Sequence, residues 1–434
     1  MNKLLFTKTL YVLLAGCILA GFTNCHSDAQ QQAISRLAFA PNDDQLKLPA
    51  GFHAVVVASH IGAARHIVVR DNGDIYVALR APHNGHAIAC LRDQNGDGKA
   101  DIIEYFGPNT RGDGIGIYRG YLYFGSDTAI MRFRLIDGQL LPDAHAETIA
   151  RFPIQHEHET KTFTFDNQGY MYVNVGAPSN ACQYEDRQKG SPGQNPCPLL
   201  EHYAGIWRFR ADVPDQTEDH GGMRYATGLR NCVALDWNPV NHQLYAAMNG
   251  RDQLYQLYPQ YYNAQQGAEL PAEEFLLIRQ GGNYGWPYTY YDQFQKKRII
   301  APEYGGDGKK AAPANQYDPP IMAFPGHWAP LGLLFYTGNQ FPSSYKYGAF
   351  IAFHGSWNRA PLPQAGFKVV FVPFKNGSRL PTGNYSVFAD NFTQSPNNQS
   401  PAHRPVGLAQ GPDGSLYITD DLGGSVWRIA YTGK

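Results

Sequence analysis

The sequence predicts an all-β protein, a six-bladed β-propeller, on three observations. A turn-plus-strand phrase returns six times along the chain, and its first copies stand roughly 45–50 residues apart, the length of a four-stranded blade. Strand-like segments at 51–59 and 424–431 leave the two ends free to complete one blade together. Composition agrees. Charged residues are 17% of the 434, against a usual ~25%, while 28 Tyr, 45 Gly and 30 Pro favour strands and turns over coiled coil, helical bundle or disorder. With 36 basic and 37 acidic residues the net charge is −1, and no basic run occurs. A phosphate-backbone binder needs a basic excess, so no nucleic acid partner is expected.

The elements follow in chain order. Lys3 and Lys8 precede an apolar stretch from Leu10 to Phe22 that is short for a membrane span, so residues 1–25 read as an export signal. Leu14-Ala15-Gly16-Cys17 has the form of a lipobox, which offers Cys17 for lipidation; an ordinary cleaved signal with an incidental cysteine is the alternative. Either way a bacterial periplasm is expected, with an outer-membrane lipoprotein and a lipid anchor in the first case. Residues 26–47 read as a linker and 48–434 as the propeller.

The six copies fall at 71–77, 119–124, 166–173, 241–246, 347–352 and 412–418. In each, a turn rich in Asp, Asn or Gly leads into a strand carrying Tyr or β-branched residues. One such sheet cannot bury its own apolar face, whereas sheets packed around an axis can. Wider spacing later in the chain implies insertions near 177–205 and 255–320. The best helical pattern is short and covers 271–279. Cys182 and Cys197 bracket a polar, Gly/Pro-rich loop that a disulfide would close in an oxidising compartment, while Cys90 and Cys232 are expected as buried free thiols.

Three features carry chemistry. Asp93, Asn95, Asp97, Lys99, Asp101 and Glu104 occupy positions 1, 3, 5, 7, 9 and 12 of a loop with glycine at position 6, the pattern of a structural calcium turn; a solvated Asp/Asn/Gly turn is the alternative. The segment 155–161 holds His156 and His158, which period-two spacing would put on one face as a general base and its neighbour, or as two transition-metal ligands. Finally, Arg230, Arg251, Arg359 and Arg404 stand in glycine-rich phrases close to strand copies. Arginines on several loops aimed at one axis suit a multiply anionic ligand.

The phrases Gly228-Leu229-Arg230-Asn231, Gly281-Gly282-Asn283-Tyr284-Gly285-Trp286-Pro287, Ala329-Pro330-Leu331-Gly332-Leu333, His354-Gly355-Ser356-Trp357-Asn358-Arg359 and Arg404-Pro405-Val406-Gly407 resemble the soluble pyrroloquinoline quinone (PQQ)-dependent sugar dehydrogenases, in particular the sorbosone dehydrogenase-like branch of the glucose/sorbosone family. That family is a six-bladed propeller, and the resemblance runs from about Leu48 to Tyr431. It implies PQQ and calcium as cofactors. His158 matches the general base, and Arg230 with Asn231 the pair facing the quinone. Arg404 matches a carboxylate-binding arginine, and Arg359 offers a second cation. The backbone carbonyls of Gly250 and Arg251 match the holders of the catalytic calcium. Two departures stand out: Lys161 replaces the branch's arginine on the cofactor side, and Ala177 occupies the position of the carboxylate that orients the base, leaving Glu157 or Glu159 to support His158. The implied reaction is oxidation of an aldose or related sugar aldehyde, with electrons passing to an external acceptor, a quinone or cytochrome. No nucleotide-binding glycine fingerprint on a strand–helix unit competes with that reading. A metal-dependent propeller lactonase and a non-catalytic carbohydrate-binding propeller are the alternatives.

Overall fold

The structure, a computed structural model, describes residues 34–395 and 400–433; the expected signal at 1–25, with Cys17, lies outside them. Six sheets stand around one axis. Their innermost strands are Ala64–Val69, Gly112–Tyr118, Phe163–Phe165, Ala234–Asn238, Pro330–Phe335 and Pro405–Gln410. Each touches the next, and the last touches the first, so the ring is closed.

The six sequence copies are the second strands of the six sheets: Ile75–His83, Tyr121–Ser126, Tyr170–Val175, Gln243–Met248, Ala349–Phe353 and Leu416–Asp420. A second strand has a strand on either side and a neighbouring sheet on either face. Ala349–Phe353 and Leu416–Asp420 are accordingly buried at every residue. That double burial is why the copies are the most apolar and most regular part of the sequence. Between sheets the space is filled by aromatics packed edge-on, such as Phe52 against Phe341 and Phe388 at ring distances of 4.8 and 5.1 Å.

The closing sheet joins both ends of the chain. Phe52–Ala58 pairs antiparallel with Val426–Tyr431, from Phe52 opposite Tyr431 to Ala58 opposite Val426. Over its described part, the segment read as a linker packs against this sheet: Leu37 is buried with Val55 and Ala430, and Trp427 Nε1 donates to Asp44 Oδ2 at 2.8 Å.

Both expected insertions are present. One spans the connection from Tyr170–Val175 to Gly205–Arg210 and contains the Cys182–Cys197 disulfide; Cys90 and Cys232 are free and buried. The other carries two short helices, Leu254–Leu257 and Ala264–Glu269, and a hairpin, Thr289–Asp292 with Lys297–Ile300. The helix expected over 271–279 is instead a strand, Glu273–Ile278, the third of its sheet. Five of its six residues are buried, so the alternation that marks a half-exposed strand is missing and a short apolar run mimics a helix face.

Candidate active site

Each innermost strand starts, and each second strand ends, at the same end of the ring, which gathers the loops 155–162, 176–204, 228–233, 249–253, 326–329, 354–359 and 403–404. His158 stands at this mouth with φ +50. Its Nδ1 lies 2.6 Å from the carbonyl oxygen of Ala177. A carbonyl only accepts, so Nδ1 carries the hydrogen and Nε2 keeps its lone pair. Burial, reinforced by the Arg230 charge, pushes the imidazole down to about 3, which keeps it neutral at physiological pH. The turn is held by Gln155, whose Nε2 donates to the carbonyls of Glu157, His158 and Gly176 at 2.7, 3.0 and 3.1 Å. Gly176 is required beneath it: a Cβ there would come within 2.5 Å of His158 Cβ.

Two expectations are corrected. The segment 155–160 is not a strand, so His156 and His158 do not share a face; His156 is exposed while His158 turns inward. Neither neighbouring carboxylate supports the imidazole, because Glu157 pairs with Arg187 and Glu159 with Arg80. The backbone carbonyl at Ala177, where a carboxylate was missing, orients His158 instead.

Opposite the imidazole lies Arg230, buried and engaged on four of its five N–H groups. Nη1 donates to Gly250 O at 2.8 Å, Nε to Asn180 O at 3.3 Å, and Nη2 to Asn180 Oδ1 at 3.1 Å and Asp252 Oδ2 at 3.0 Å. One Nη1 hydrogen is left for a ligand oxygen. Asp252 organises this wall. Besides Arg230 it accepts from Asn358 Nδ2 at 2.8 Å and from Arg187 at 3.2 Å. Burial opposes its ionisation, yet Arg230, His327 and Arg187 hold the carboxyl well below the usual range. Asn231 Oδ1 accepts from Asn174 at 3.2 Å, which leaves its amide hydrogens as donors.

The remaining predicted residues divide. Arg404 is part-buried and donates only to carbonyls, of His354 at 3.2 Å and Gly355 at 2.5 Å, leaving three N–H groups and no carboxylate in direct contact. Arg359 braces loops, donating to the carbonyls of Gly326, Ala268 and Pro363 at 2.8, 3.2 and 3.3 Å. Lys161 is fully buried beneath the base, with Nζ donating to Gln155 Oε1 at 3.1 Å and Glu159 O at 2.5 Å; burial pulls its ammonium down to about 8. Through Gln155 it supports the His158 turn. The Arg251 side chain is buried, paired with Glu303 at 2.5 Å and donating to Asp252 O at 3.3 Å.

The calcium-type turn is remote from this cluster, on the edge of the first sheet. Asp93 accepts from the amides of Gly96 and Gly98, Asn95 from that of Asp97, Asp97 from that of Lys99, and Asp101 from those of Gln94 and Asn95. Glu104 lies on the following strand and is exposed. Among the described residues, no three or more His, Cys, Asp or Glu side chains converge as metal ligands.

The sequence reading missed Gln155, Asn180, Arg187 and Asp252. Asp252 directly follows Arg251, and Arg187 lies inside the disulfide loop; nothing local marks either. A second charged group was also missed: Arg65 forks onto Asp113 at 3.1 and 2.8 Å and reaches Asp421 at 2.8 Å, which His354 meets at 2.9 Å.

A family model described as TrAA12-like matches residues 46–432. The chain belongs to that family. Among its relatives, an uncharacterised protein of Borreliella burgdorferi is 34% identical over 208 residues, 48% of this chain and 48% of its own length. A pyrroloquinoline quinone-dependent pyranose dehydrogenase of Coprinopsis cinerea is 28% identical over 278 residues, 55% of this chain and 36% of its own length. The chain thus matches about half or less of the length of either relative. The calcium structure of the Trichoderma reesei family AA12 protein superposes with a TM-score of 0.71 at 19% identity, covering 91% of this chain and 98% of that one, which establishes the six-bladed fold. The resemblance read from the mouth motifs is borne out at the level of the family.

Proposed function

We propose that this protein is a PQQ-dependent sugar dehydrogenase whose general base is His158. One observation carries the reading: a neutral imidazole, with its tautomer set by Ala177 O, and a buried arginine with one open donor share a single mouth. The residues present suit this cofactor. Arg404 is part-buried with three unspent N–H groups and no carboxylate in contact, and Arg230 and Asn231 add donors on the other side. That donor set matches a planar ring bearing three carboxylates and two carbonyls. When bound, PQQ supplies an ortho-quinone that accepts two electrons and a proton from the sugar carbon.

The chain's own residues do the rest. His158 Nε2 takes the proton of the sugar hydroxyl, and Nδ1–H on Ala177 O stabilises the imidazolium that forms. Arg230 holds its remaining N–H toward developing negative charge, prearranged by Asn180 and Asp252 so that no reorganisation is needed at the moment of reaction. Calcium belongs to the same proposal. The carbonyl oxygens of Gly250 and Arg251 would hold it, and it would supply an electrophile beside the site. An aldose or a related sugar aldehyde is the proposed substrate, and a quinone or cytochrome the proposed acceptor, in the periplasm or at the outer membrane.

The experiment mixes purified protein with PQQ, calcium, a sugar panel and a dye acceptor. Sugar-dependent dye reduction that requires PQQ is expected. Lactone hydrolysis without PQQ would point to the lactonase reading, and sugar binding without turnover to a binding propeller.

A further inference from the structure

The disulfide-closed loop delivers one guanidinium between two walls of the mouth. Arg187 Nε and Nη2 donate to Glu157 Oε1 and Oε2 at 3.3 and 3.2 Å. From the same fork, Nη1 and Nη2 donate to Asp252 Oδ2, both at 3.2 Å, and Nη1 reaches Gln253 Oε1 at 3.2 Å. Glu157 directly precedes His158, and Asp252 is the carboxylate that takes Arg230. One side chain therefore ties the wall carrying the base to the wall carrying the facing cation.

The loop is built to hold that side chain still. Cys182 and Cys197 close it, and Arg187, at φ +56, donates its own N–H to Gln183 Oε1 at 3.0 Å. The preceding Asp186 accepts from Ser179 Oγ at 2.5 Å and Asn180 N at 3.0 Å. Tyr304 and Tyr288 anchor the two ends, by Tyr304 OH to Ala181 O at 3.1 Å and Cys197 N to Tyr288 OH at 2.9 Å. None of this is needed to close the propeller; the fold is complete without the insertion.

We propose that Arg187 is a positioning residue: carried on the disulfide loop, it grips Glu157 and Asp252 at once and so sets the spacing between His158 and Arg230. The proposal rests on the reading of His158 as the base. The physical reason is reach. A planar fork can satisfy two carboxylates in fixed geometry where a lysine offers only a point charge. Displacing a reacting group by about 1 Å costs on the order of 100-fold in rate. The Arg187 charge also helps keep His158 neutral, alongside Arg230 and against Asp252. Of the two carboxylates that flank His158, Glu157 is held by Arg187 at 3.2 Å, and Glu159 by Arg80 at 2.7 Å with Arg111 beyond it at 3.6 Å.

The test uses the full chain. With PQQ, calcium and dye, Arg187→Gln should lower kcat by ~10–100-fold while KM moves less than about threefold, the mark of geometry lost in the transition state. Adding Glu157→Gln to it should cost little more, because the two act through one contact. Arg187→Lys, which keeps the charge without the fork, should recover only part of the turnover, and Cys182→Ser with Cys197→Ser should share the kcat defect. In the cofactor-free protein, the His158 imidazole followed by NMR should titrate at higher pH in Arg187→Gln than in wild type, and near wild type in Arg187→Lys. Wild-type kcat and an unmoved His158 titration in Arg187→Gln would overturn the proposal. So would full wild-type turnover in Arg187→Lys, which also serves if the glutamine variant fails to fold by circular dichroism. Should the wild type oxidise no sugar with PQQ, the dehydrogenase reading fails and the positioning role fails with it, whereas an active wild type with an unimpaired Arg187→Gln sinks the positioning role alone.

Discussion

The two ends of the propeller satisfy their polar groups in opposite ways. At the end away from the mouth, where first strands turn into second strands, the turn carboxylates and amides cap their own backbone, with single crossings between sheets such as Arg70 to Asp137. Asp166 Oδ1 accepts from the amides of Gln168 and Tyr170, Asn72 Oδ1 from Asp74, and Asp413 Oδ1 from Ser415. At the mouth, partners come from other sheets. Asp252 meets Asn358 and Arg187, Arg230 meets Asn180, and Arg65 meets Asp113 and Asp421. Local turns form as soon as a few residues fold. A buried charge cluster exists only when the whole ring is closed, and every member depends on the others. The turn end is a set of independent clips; the mouth is one cooperative unit.

That contrast can be broken or sharpened by experiment. The largest effect is expected at the base. His158→Ala should lower turnover by ~100–10,000-fold, while PQQ binding followed by fluorescence stays close to wild type. If His156→Ala does this instead and His158→Ala does not, the inward-facing imidazole is not the base. Next comes the cluster itself. Asp252→Ala leaves Arg230 buried without its carboxylate and should destabilise by about 3–5 kcal/mol in urea denaturation; a loss under 1 kcal/mol would mean the mouth is no more cooperative than the turns.

A third test concerns Asp236, an innermost-strand carboxylate bonded to Phe335 N at 2.8 Å and Thr164 Oγ1 at 3.3 Å, on two other sheets. Burial raises it to about 7. The folded state therefore holds a proton that the unfolded chain releases near pH 4. Its contribution is fully present below that value and is lost as pH rises through 7. The melting temperature of Asp236→Asn relative to wild type should shift in the variant's favour between pH 5 and pH 8, and a pH-independent difference would contradict the buried carboxyl. The smallest effect belongs to a clip. Asn72→Ala should cost about 1 kcal/mol or less, read from the same denaturation curves, with activity unchanged.

The same contrast explains what the sequence could tell. The six second strands were legible because each announces itself with an adjacent turn and a doubly buried apolar run. Cys182 and Cys197 were legible because they bracket one loop, and the bond between them is present. The strand Glu273–Ile278 was misread because burial on both faces erases its period. His158 could be placed, but not what orients it: the partner is a carbonyl, which every residue owns and no side chain advertises. Arg187 and Asp252 stayed hidden for the same physical reason that makes them important. Arg187 and Asp252 are 65 residues apart along the chain, and Asn358 is 106 from Asp252.

The closing sheet has a consequence for synthesis. Phe52–Ala58 is made early, yet its partner strand Val426–Tyr431 comes last, and Thr432 meets Gly51 across 381 residues. Until the final segment emerges, the earliest strand presents an unpaired edge of amides and carbonyls beside buried-type side chains such as Val55 and Val57. Between the synthesis of residue 58 and that of residue 426 the nascent chain therefore carries a loose strand while the other five sheets form one after another, a state open to mispairing with other chains. A ribosome stalled before residue 426 should leave the protein captured by holdase chaperones, whereas one stalled beyond the closing strand should release a chain that resists protease.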